Sequence, residues 1–533
     1  MPATLVLTNG QIHTMDSARP RVSAVALRDD GIMAVGDDDE MKALLGTGGE
    51  WIDLDSRAVT PGLVDAHVHF QWWALNLQRI DLFEVPTLEE ALRRVQAAAA
   101  EMEGDGWLQG RGWTQDVWPS RAFPTAADLD RVAPHLPVYL IHKSGHAAWA
   151  NSRALKLAGI TTETPDPEGG QIGRDEQGRP TGVLFETAMD LVSEQIPEST
   201  AANVADAMRA AQEECWRVGL TGLHDFDGRT SFQALQTLHG DGELGLRVVK
   251  NIPARLLEHA VGLGLRSGFG DEWLRTGGIK IFADGALGPR TAYMIEPYEG
   301  EPDNRGIAVT DKEEMMAIAG EASANGLSVT IHAIGDRANH DVLDVYEAVR
   351  EAEEREGRPR LRHRIEHVQV IHPADKERLA ELDVIASMQP SHATADMEMA
   401  DRYWGDRARY SYAWRTMLES GATVVFGSDA PIESIAPLPG LYAAVARRRP
   451  DGAPGPEGWY PEQRLTLTEA VHAFTRAAAF TSGQEARQGS ITPGCLADLT
   501  IFDRDIFSAP AEALLETEIA GTIVGGTFKY RTL

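Results

Sequence analysis

The chain of 533 residues has only two cysteines, Cys215 and Cys495. They lie far apart in the sequence, which argues against a disulfide framework and against a metal site built from thiolates. Any bound metal ion would therefore need histidine, carboxylate or a less usual ligand. Lysine is also scarce, with 8 residues against 42 arginines, so a lysine inside an apolar segment is notable.

Long apolar runs and a surplus of basic residues are absent as well. No run of 18 apolar residues occurs, and the N-terminal MPATLVLTNGQIHTMD has no basic region followed by an apolar one. The 80 acidic and 50 basic residues give a formal net charge of −30, which repels nucleic acid and anionic membrane surfaces. We therefore expect a cytoplasmic protein that binds neither.

The middle of the chain alternates short apolar strands with helical periodicity, whereas both ends consist of short strands and turns. Eight parallel β/α units close a barrel. We predict an α/β protein with a TIM-like (β/α)8 barrel over residues 61–480, a discontinuous β-sandwich domain from residues 1–60 and 481–533, and an inserted α/β subdomain or lid over residues 71–217. The eight candidate barrel strands are GLVDAHVHF, GLTGLHDF, LRVVKNI, GGIKIFADG, LSVTIHAIG, RHRIEHV, VIASMQP and TVVFGSDA.

The first candidate strand ends in His67 and His69. Side chains at positions i and i+2 of a strand point to the same face, so the two imidazoles would stand side by side, as metal ligands do. With 16 histidines in the chain, however, chance alone gives roughly half an H-x-H pattern per sequence. The interpretation therefore depends on what the other strands supply.

Four further polar residues lie in or after candidate strands four, five, six and eight: Lys280, His332, His367 and Asp429. A lone histidine in a strand is more often a hydrogen-bonded core residue, and an aspartate after a strand is often a helix cap. The carboxyl ends of barrel strands are nevertheless where enzymes of this fold gather their catalytic groups. Together with the first histidine pair, these residues indicate a metal site.

Lys280 lies between two isoleucines in GGIKIFADG. A buried ammonium group there needs a partner or a strongly lowered pKa. A neutral lysine amine can react with carbon dioxide to form a carbamate, which is an anion able to bridge two cations.

The sequence resembles the metal-dependent amidohydrolase superfamily and, within it, the amidohydrolase-3 or YtcJ-like group that includes N-substituted formamide deformylases. One departure is Pro289, where this group more often has serine. The motifs that carry the resemblance span the chain: PGLVDAHVH, PVYLIHKSGHAAWANSRALKLAGI, GGQIGRDEQGRPTGVLFETA, GIKIFADGALGPRTA, TIHAIGDRAN, RIEHVQV, FGSDAPI and GSITPGCLADLTIFD.

The resemblance implies an enzyme that cleaves a carbon–nitrogen bond in a non-peptide amide or N-substituted formamide by a metal-activated hydroxide. Asp429 would take the proton of the hydroxide and pass it to the leaving nitrogen. We expect the two divalent ions to be zinc. Their implied ligands are His67 and His69 for one ion, His332 and His367 for the other, a bridging carbamate on Lys280, and Asp429 as both ligand and base.

Substrate selection points to the inserted segment, which with its flanks holds six of the 12 tryptophans. These residues either enclose an apolar group of the substrate or form the core of the insertion itself. Trp113, His146 and Arg290 are the predicted substrate contacts. Glu186, in GVLFETA, belongs to a family motif without an assigned role. We expect a small-molecule amide as substrate and a homodimer as the assembly.

Three alternatives remain at this stage. The same metal-hydroxide attack serves deaminases and lactone or phosphotriester hydrolases, although deaminases of the superfamily usually lack the bridging lysine. A non-catalytic scaffold related to the hydantoinases would be expected to have lost some ligands, whereas all six positions are filled here.

Overall fold

The structure is a computed structural model that describes residues 1–83, 85–102, 104, 106–144 and 146–533. Its strands are β1 (Ala3–Thr8), β2 (Gln11–His13), β3 (Arg21–Val22), β4 (Ala24–Arg28), β5 (Gly31–Gly36), β6 (Leu45–Asp53), β7 (Ala58–Pro61), β8 (Leu63–Val68), β9 (Ile80–Asp81), β10 (Leu108–Trp113), β11 (Val138–His142), β12 (Ala147–Ala150), β13 (Gly170–Arg174), β14 (Pro180–Glu186), β15 (Leu220–Asp225), β16 (Arg247–Pro253), β17 (Leu274–Phe282), β18 (Val329–Ala333), β19 (Arg364–His367), β20 (Ile385–Met388), β21 (Val424–Phe426), β22 (Leu499–Phe502), β23 (Ile519–Val524) and β24 (Thr527–Arg531).

The α-helices follow the strands for most of the chain. They are α1 (Asp38–Lys42), α2 (Phe70–Leu77), α3 (Leu88–Glu101), α4 (Ala126–Asp130), α5 (Ser152–Leu157), α6 (Asp190–Ser193), α7 (Ala201–Arg217), α8 (Arg229–Gly240), α9 (Leu257–Gly262), α10 (Lys312–Ala324), α11 (Asp336–Arg355), α12 (Arg378–Glu381), α13 (Pro390–Trp404), α14 (Trp414–Ser420), α15 (Pro437–Ala446), α16 (Leu467–Phe474) and α17 (Arg476–Thr481).

The described residues form two compact units, one of Met1–Trp73 with Val204–Leu533 and one of Ala74–Asn203. The first unit contains an eight-stranded parallel sheet in the order β21-β20-β19-β18-β17-β16-β15-β8. These are the eight strands predicted from the sequence. Most of their residues are buried, as expected for parallel strands covered on both faces.

The two edges of this sheet meet, which makes it a nearly closed barrel. Val68 at the end of β8 forms a parallel bridge with Ala430, which follows β21. The amide of Asp429 donates to the carbonyl of His67 at 2.7 Å, and the amide of His69 donates to the carbonyl of Ala430 at 2.9 Å. The TIM-like barrel is therefore confirmed, and its first and last strands meet where the predicted metal ligands lie.

The same unit contains two further sheets, of order β5-β4-β1-β6 and β24-β23-β22-β7-β2-β3. Strand β7, near the start of the chain, pairs with β22 near its end, with Thr60 opposite Thr500. Side chains from both sheets, such as Leu7, Val25 and Ile501, share one buried apolar cluster. The limits predicted for a sandwich domain, 1–60 and 481–533, stay a prediction.

The second unit is built on a mixed sheet of order β13-β14-β12-β11-β10-β9. Trp113, Trp118 and Trp149 are buried in one of its apolar clusters together with side chains of α3, such as Val95. These rings therefore form part of the core of the unit. The predicted extent of the insertion, 71–217, stays a prediction.

Across the described parts of the chain, no helix combines the length and apolar character that a membrane crossing requires.

Candidate metal centre

The predicted ligands occupy the carboxyl ends of the barrel strands. His67 lies in β8 and His69 directly after it, Lys280 lies in β17, and His332 lies in β18. His367 is the last residue of β19, and Asp429 follows β21. Because neighbouring strands are parallel, these ends meet at one mouth of the barrel.

The structure brings a subset of these side chains within reach of a single cation. One ligand atom from each of His67, His367 and Asp429 can be chosen so that all three lie within 4.8 Å of one another. The Nε2 atoms of His67 and His69 each lie 3.5 Å from Oδ1 of Asp429. The ring of His332 has its centre 4.5 Å from that of His367. The tightest trio thus takes one histidine from each predicted pair.

Two of these positions have an unusual backbone. His367 has φ of 79° and Asp429 has φ of 61°, both in the left-handed region that non-glycine residues rarely adopt. Such conformations cluster at functional sites, where the surrounding structure holds them. The left-handed conformation of His367 also interrupts the alternation of side chains along β19. As a result, both Glu366 and His367 approach His67, although adjacent residues of a regular strand face opposite sides.

Carboxylates orient the first histidine pair. Oε2 of Glu366 accepts a hydrogen bond from Nδ1 of His67 at 2.5 Å, and Oδ1 of Asp227 accepts one from Nδ1 of His69 at 3.1 Å. A proton held on Nδ1 leaves the lone pair of Nε2 available. This arrangement of carboxylate, histidine and a free ring nitrogen is typical of metal-ligating histidines.

The second pair has different partners. Nδ1 of His367 lies 2.8 Å from Oε1 of Gln389, which leaves Nε2 available. In His332 it is Nε2 that faces a backbone oxygen, that of Gly285, at 3.0 Å, so Nδ1 is the available nitrogen. Each histidine therefore has one ring nitrogen engaged and one free.

At His69 burial lowers the pKa, but the hydrogen bond and the charge of Asp227 outweigh burial and raise it. Burial favours the neutral form of the other three histidines. It lowers the pKa of His67 to about 4, although the charges of Glu366 and Asp429 oppose the shift. It lowers the pKa of His332 to about 3, and that of His367 lies well below its usual value for the same reason. Neutral imidazole is the form that binds metal ions.

Lys280 is buried, and its Nζ lies 4.8 Å from the centres of both the Phe226 and the Phe282 rings. Burial lowers the pKa of this amine to about 8, while the charges of Glu366 and Asp429 counteract part of the shift. A substantial neutral fraction near pH 8 is the condition that carbamate formation needs.

Asp429 is held as a carboxylate. Burial alone would raise its pKa, but the positive charge that His67 carries once it is protonated and a hydrogen bond from His392 outweigh burial and bring the pKa well below its usual value. Nε2 of His392 lies 3.2 Å from Oδ2 of Asp429, whereas Oδ1 faces His67 and His69. Neutral imidazoles around an ionised carboxylate fit a divalent ion such as zinc.

Sequence reasoning did not identify the partners that orient the ligands, namely Glu366, Asp227, Gln389 and His392. The available signal was the presence of acidic residues next to ligand strands, in RIEHV and GLHDFD. Regular strand alternation places Glu366 and His367 on opposite faces, so the sequence pattern alone does not predict that both side chains approach His67.

The predicted substrate contacts belong to both units, with Trp113 and His146 in the second and Arg290 in the first. Trp113 is fully buried in the second unit, where its indole N–H donates to the carbonyl of Leu140 at 2.8 Å. A ring without exposed surface offers no face to a ligand, so this position gives no support to the prediction. Arg290 belongs to the first unit and pairs with Glu301 at 2.7 Å.

His146 and Glu186, both in the second unit, form a pair. Nδ1 of the exposed His146 lies 3.0 Å from Oε2 of Glu186, which has φ of 48°. Glu186 thus has a structural partner that the sequence did not reveal. The roles predicted for His146 and Arg290 in substrate binding stay predictions.

The sequence pattern of the Amidohydrolase family matches residues 50–530. Protein LONG AFTER FAR-RED 3 of Arabidopsis thaliana is 35% identical over 99% of this chain and 92% of its own length. The putative amidohydrolase YtcJ of Bacillus subtilis is 33% identical over 98% of both chains. An N-substituted formamide deformylase of Arthrobacter pascens is 30% identical over 99% of this chain and 98% of its own.

A solved structure of a hydrolase is also similar to this chain. An uncharacterized metal-dependent hydrolase of Pyrococcus furiosus is similar to this chain with a TM-score of 0.78 and 30% sequence identity, over 95% of this chain and 100% of the other. The barrel, the histidine cluster at its mouth and these similarities agree. The chain therefore belongs to the Amidohydrolase family and is a hydrolase.

Proposed function

We propose that this hydrolase is metal-dependent and cleaves the carbon–nitrogen bond of small non-peptide amides, N-substituted formamides among them. The observation that carries the proposal is the trio of His67, His367 and Asp429 at the mouth of the barrel, with its ring nitrogens already oriented. The similarity to a formamide deformylase supports the bond type.

The same proposal covers the full ligand set: zinc as the metal, two ions, and a bridging carbamate on Lys280. A bound divalent ion would supply a water molecule of lowered pKa and polarise the carbonyl of the substrate. The burial of Lys280 favours the neutral amine that carbamate formation requires.

Asp429 is the proposed catalytic base, and its two oxygens have separate environments. Oδ2 accepts a hydrogen bond from His392, which fixes the carboxylate, and Oδ1 faces the first histidine pair. Oδ1 would take a proton from the attacking water and give it to the leaving nitrogen, since a nearby carboxylate with a low pKa is ionised at neutral pH.

Exposed apolar side chains beside the site support a substrate with an apolar substituent. Trp72 is 43% exposed, and its ring centre lies 6.0 Å from that of His69. Phe282 is 46% exposed, and its ring centre lies 5.3 Å from that of His332. Large apolar groups exposed next to polar, perturbed residues are typical of ligand sites.

The test compares kcat/KM for benzylformamide and formanilide with that for a phosphotriester, an aryl lactone and an aminopurine. We expect the amides to be preferred. If one of the other three compounds were turned over 10²-fold better than every amide, a difference of about 2.7 kcal/mol in transition-state binding, a lactonase, phosphotriesterase or deaminase would replace this proposal.

A variant sharpens the test of the substituent. Phe282→Ala should lower kcat/KM for benzylformamide by about 10-fold and leave N-methylformamide nearly unchanged, because only the larger substituent reaches the ring. Phe269→Ala is the matched control, since Phe269 is 69% exposed and precedes the amino end of β17. Equal losses for the two substrates would argue against an apolar contact at Phe282.

A further inference from the structure

A second polar cavity lies at the amino ends of the barrel strands. It has a volume of about 310 Å³, and we call it the basal cavity. Its wall includes Arg275 near the start of β17 and Gly278 in the middle of that strand, Thr330 near the start of β18, and Arg364 at the start of β19. The same three strands carry Lys280, His332 and His367 toward their other ends.

The basal cavity and the candidate metal centre lie toward opposite ends of these strands, and Glu366 lies between Arg364 of the cavity wall and His67. Arg364 and His367 lie three residues apart along β19, which at about 3.3 Å per residue amounts to roughly 10 Å. Catalytic groups of this fold gather at the carboxyl ends of the strands, and the amino ends ordinarily serve stability. The site at the mouth accounts for Arg364, which pairs with Glu366 beside His67, but not for Arg275 or Arg360.

The charge of the basal cavity is the reverse of that of the chain. Four arginines line it, Arg275, Arg360, Arg362 and Arg364, and no aspartate or glutamate belongs to its lining among the described residues. The whole chain carries a formal net charge of −30 from 80 acidic residues. A cavity wall free of carboxylates is therefore a local exception in a chain whose field repels anions.

Two of the four arginines already have their charge compensated from outside the cavity wall. Arg362 makes two parallel contacts with Glu485, at 2.8 Å and 2.6 Å. Arg364 is buried, and its Nε lies 2.5 Å from Oε1 of Glu366. These two pairs hold the guanidinium groups in place.

The other two arginines have no carboxylate in direct contact. Within the described ranges of the chain, no carboxylate oxygen lies within 4.0 Å of a side-chain nitrogen of Arg275 or Arg360. Arg275 is half-buried and donates to the backbone oxygen of Gly268 at 2.8 Å, while Arg360 is exposed. Burial lowers the pKa of Arg275, and the more distant charges of Asp271 and Glu272 oppose the shift. The basal cavity thus holds two guanidinium groups without a carboxylate in direct contact.

Neutral hydrogen-bonding groups complete the wall. Ser267 and Ser328 both line the cavity, and their hydroxyl oxygens lie 3.1 Å apart. Gly278 lies beside them, and an added Cβ there would meet the hydroxyl of Ser328 at 2.9 Å and its carbonyl at 3.0 Å. A side chain at this position would therefore press on the wall that carries the hydroxyls.

We propose that the basal cavity binds a phosphate group, either free phosphate or a small phosphate monoester. Guanidinium groups match phosphate oxygens with two parallel hydrogen bonds, and the cavity combines two guanidiniums that have no direct carboxylate partner with serine hydroxyls. A volume of about 310 Å³ accommodates the tetrahedral anion together with a few carbon atoms.

The test is isothermal titration calorimetry of the metal-loaded protein with inorganic phosphate and, separately, with glycerol 3-phosphate. The variants are Arg360→Gln alone and Arg275→Gln with Arg360→Gln. The control is the double variant Arg153→Gln with Arg409→Gln, which removes the same charge at two exposed arginines outside the cavity wall. Circular dichroism and thermal unfolding verify that each variant is folded.

We expect the wild type and the control to bind one phosphate group per chain in addition to any bound at the metal ions. Arg360→Gln should weaken this binding, and the double cavity variant should weaken it at least 10-fold. Phosphate held only by the metal ions would persist equally in every variant.

The proposal would be overturned if Arg360→Gln bound phosphate as tightly as the wild type. It would also be overturned if the wild type showed no saturable binding beyond that of the double cavity variant. Binding of glycerol 3-phosphate but not phosphate would identify a monoester as the ligand.

Discussion

Oε2 of Glu366 lies 2.5 Å from Nδ1 of His67, and neither side chain has appreciable contact with solvent. This hydrogen bond fixes the imidazole so that Nε2 faces Asp429. The other carboxylate oxygen of Glu366, Oε1, lies 2.5 Å from Nε of Arg364. The Glu366 carboxylate therefore contacts both a buried arginine of the barrel and a predicted metal ligand.

Replacement of Glu366 by glutamine should lower metal content and activity together. The amide keeps the size of the side chain but loses the charge that orients His67, and changes of this kind typically cost 10–100-fold in metal affinity or activity. The measurement is metal per chain by mass spectrometry across a series of free zinc concentrations.

The matched control for this variant is Glu353→Gln. Glu353 is also a buried glutamate that contacts a histidine, His363 at 3.1 Å, and an arginine, Arg350 at 2.6 Å, and it belongs to α11. The Glu353→Gln variant should be less stable than the wild type but should bind the same amount of metal. Equal metal affinity in Glu366→Gln and the wild type would remove the proposed role of Glu366.

Asp429→Asn should leave the fold intact and reduce kcat by roughly 10²–10⁴-fold, the range usual for a general acid–base group. The amide cannot accept a proton, although it can still receive the hydrogen bond from His392. Asp375→Asn serves as the control, because Asp375 is buried and pairs with His340 and Arg378 outside the barrel strands. Turnover near that of the wild type would assign the proton transfer to another group.

Lys280→Ala should remove the second metal ion and most of the activity, because the proposed bridge is lost. Added propionate should restore part of the activity by supplying a carboxylate in place of the carbamate. Native mass spectrometry of the loaded wild type should show the added mass of one carbon dioxide, and an unmodified lysine in a fully active sample would contradict the carbamate. Lys312→Ala, which loses an ion pair with Asp344 on the helices, is the control.

The barrel could be predicted from the sequence because each of its strands is a short apolar segment followed by a turn or helix. The candidate ligands could be selected because Lys280, His332 and His367 interrupt such segments near their ends. Their placement at one mouth follows from the strand period and the orientation of parallel strands, whereas their roles as ligands are implied by the family resemblance.

The partners of the ligands could not be predicted, because they depend on the backbone. The left-handed conformation at His367 places two adjacent residues on one site, against the strand period. Tryptophan content alone could not assign a role to the insertion, because composition does not distinguish a lid over the substrate from a buried core. Burial of Trp113, Trp118 and Trp149 in one cluster gives the core interpretation its support.

A pH dependence of stability is expected from His13, which is buried and stacked on Phe507 with ring centres 3.5 Å apart. Burial, helped by the charge of Arg21, lowers its pKa from 6.5 to about 4 despite the opposing charge of Asp505. Because the fold disfavours the protonated ring, the free energy of unfolding should be unaffected by His13 above pH 6.5 and should fall as the pH drops from 6.5 toward 4.

Urea denaturation at several pH values tests this expectation. Between pH 6.5 and 4, His13→Gln should lose less free energy of unfolding than the wild type. In His259→Gln, at an exposed histidine, the free energy of unfolding should change with pH as it does in the wild type. The comparison uses the slope of this free energy against pH and not its absolute value, because the substitution itself changes the packing. Identical slopes in all three proteins would show that other groups set the pH dependence.

The proposed function includes two metal ions at the mouth of this barrel. The decisive experiment is anomalous diffraction at the zinc edge from crystals of the metal-loaded protein. We predict two peaks, one bonded to His67 and His69 and one to His332 and His367, with Asp429 as a ligand and density for a carbamate on Lys280 between them. A single peak on His67, His367 and Asp429, with unmodified Lys280 in crystals of active protein, would contradict the binuclear account.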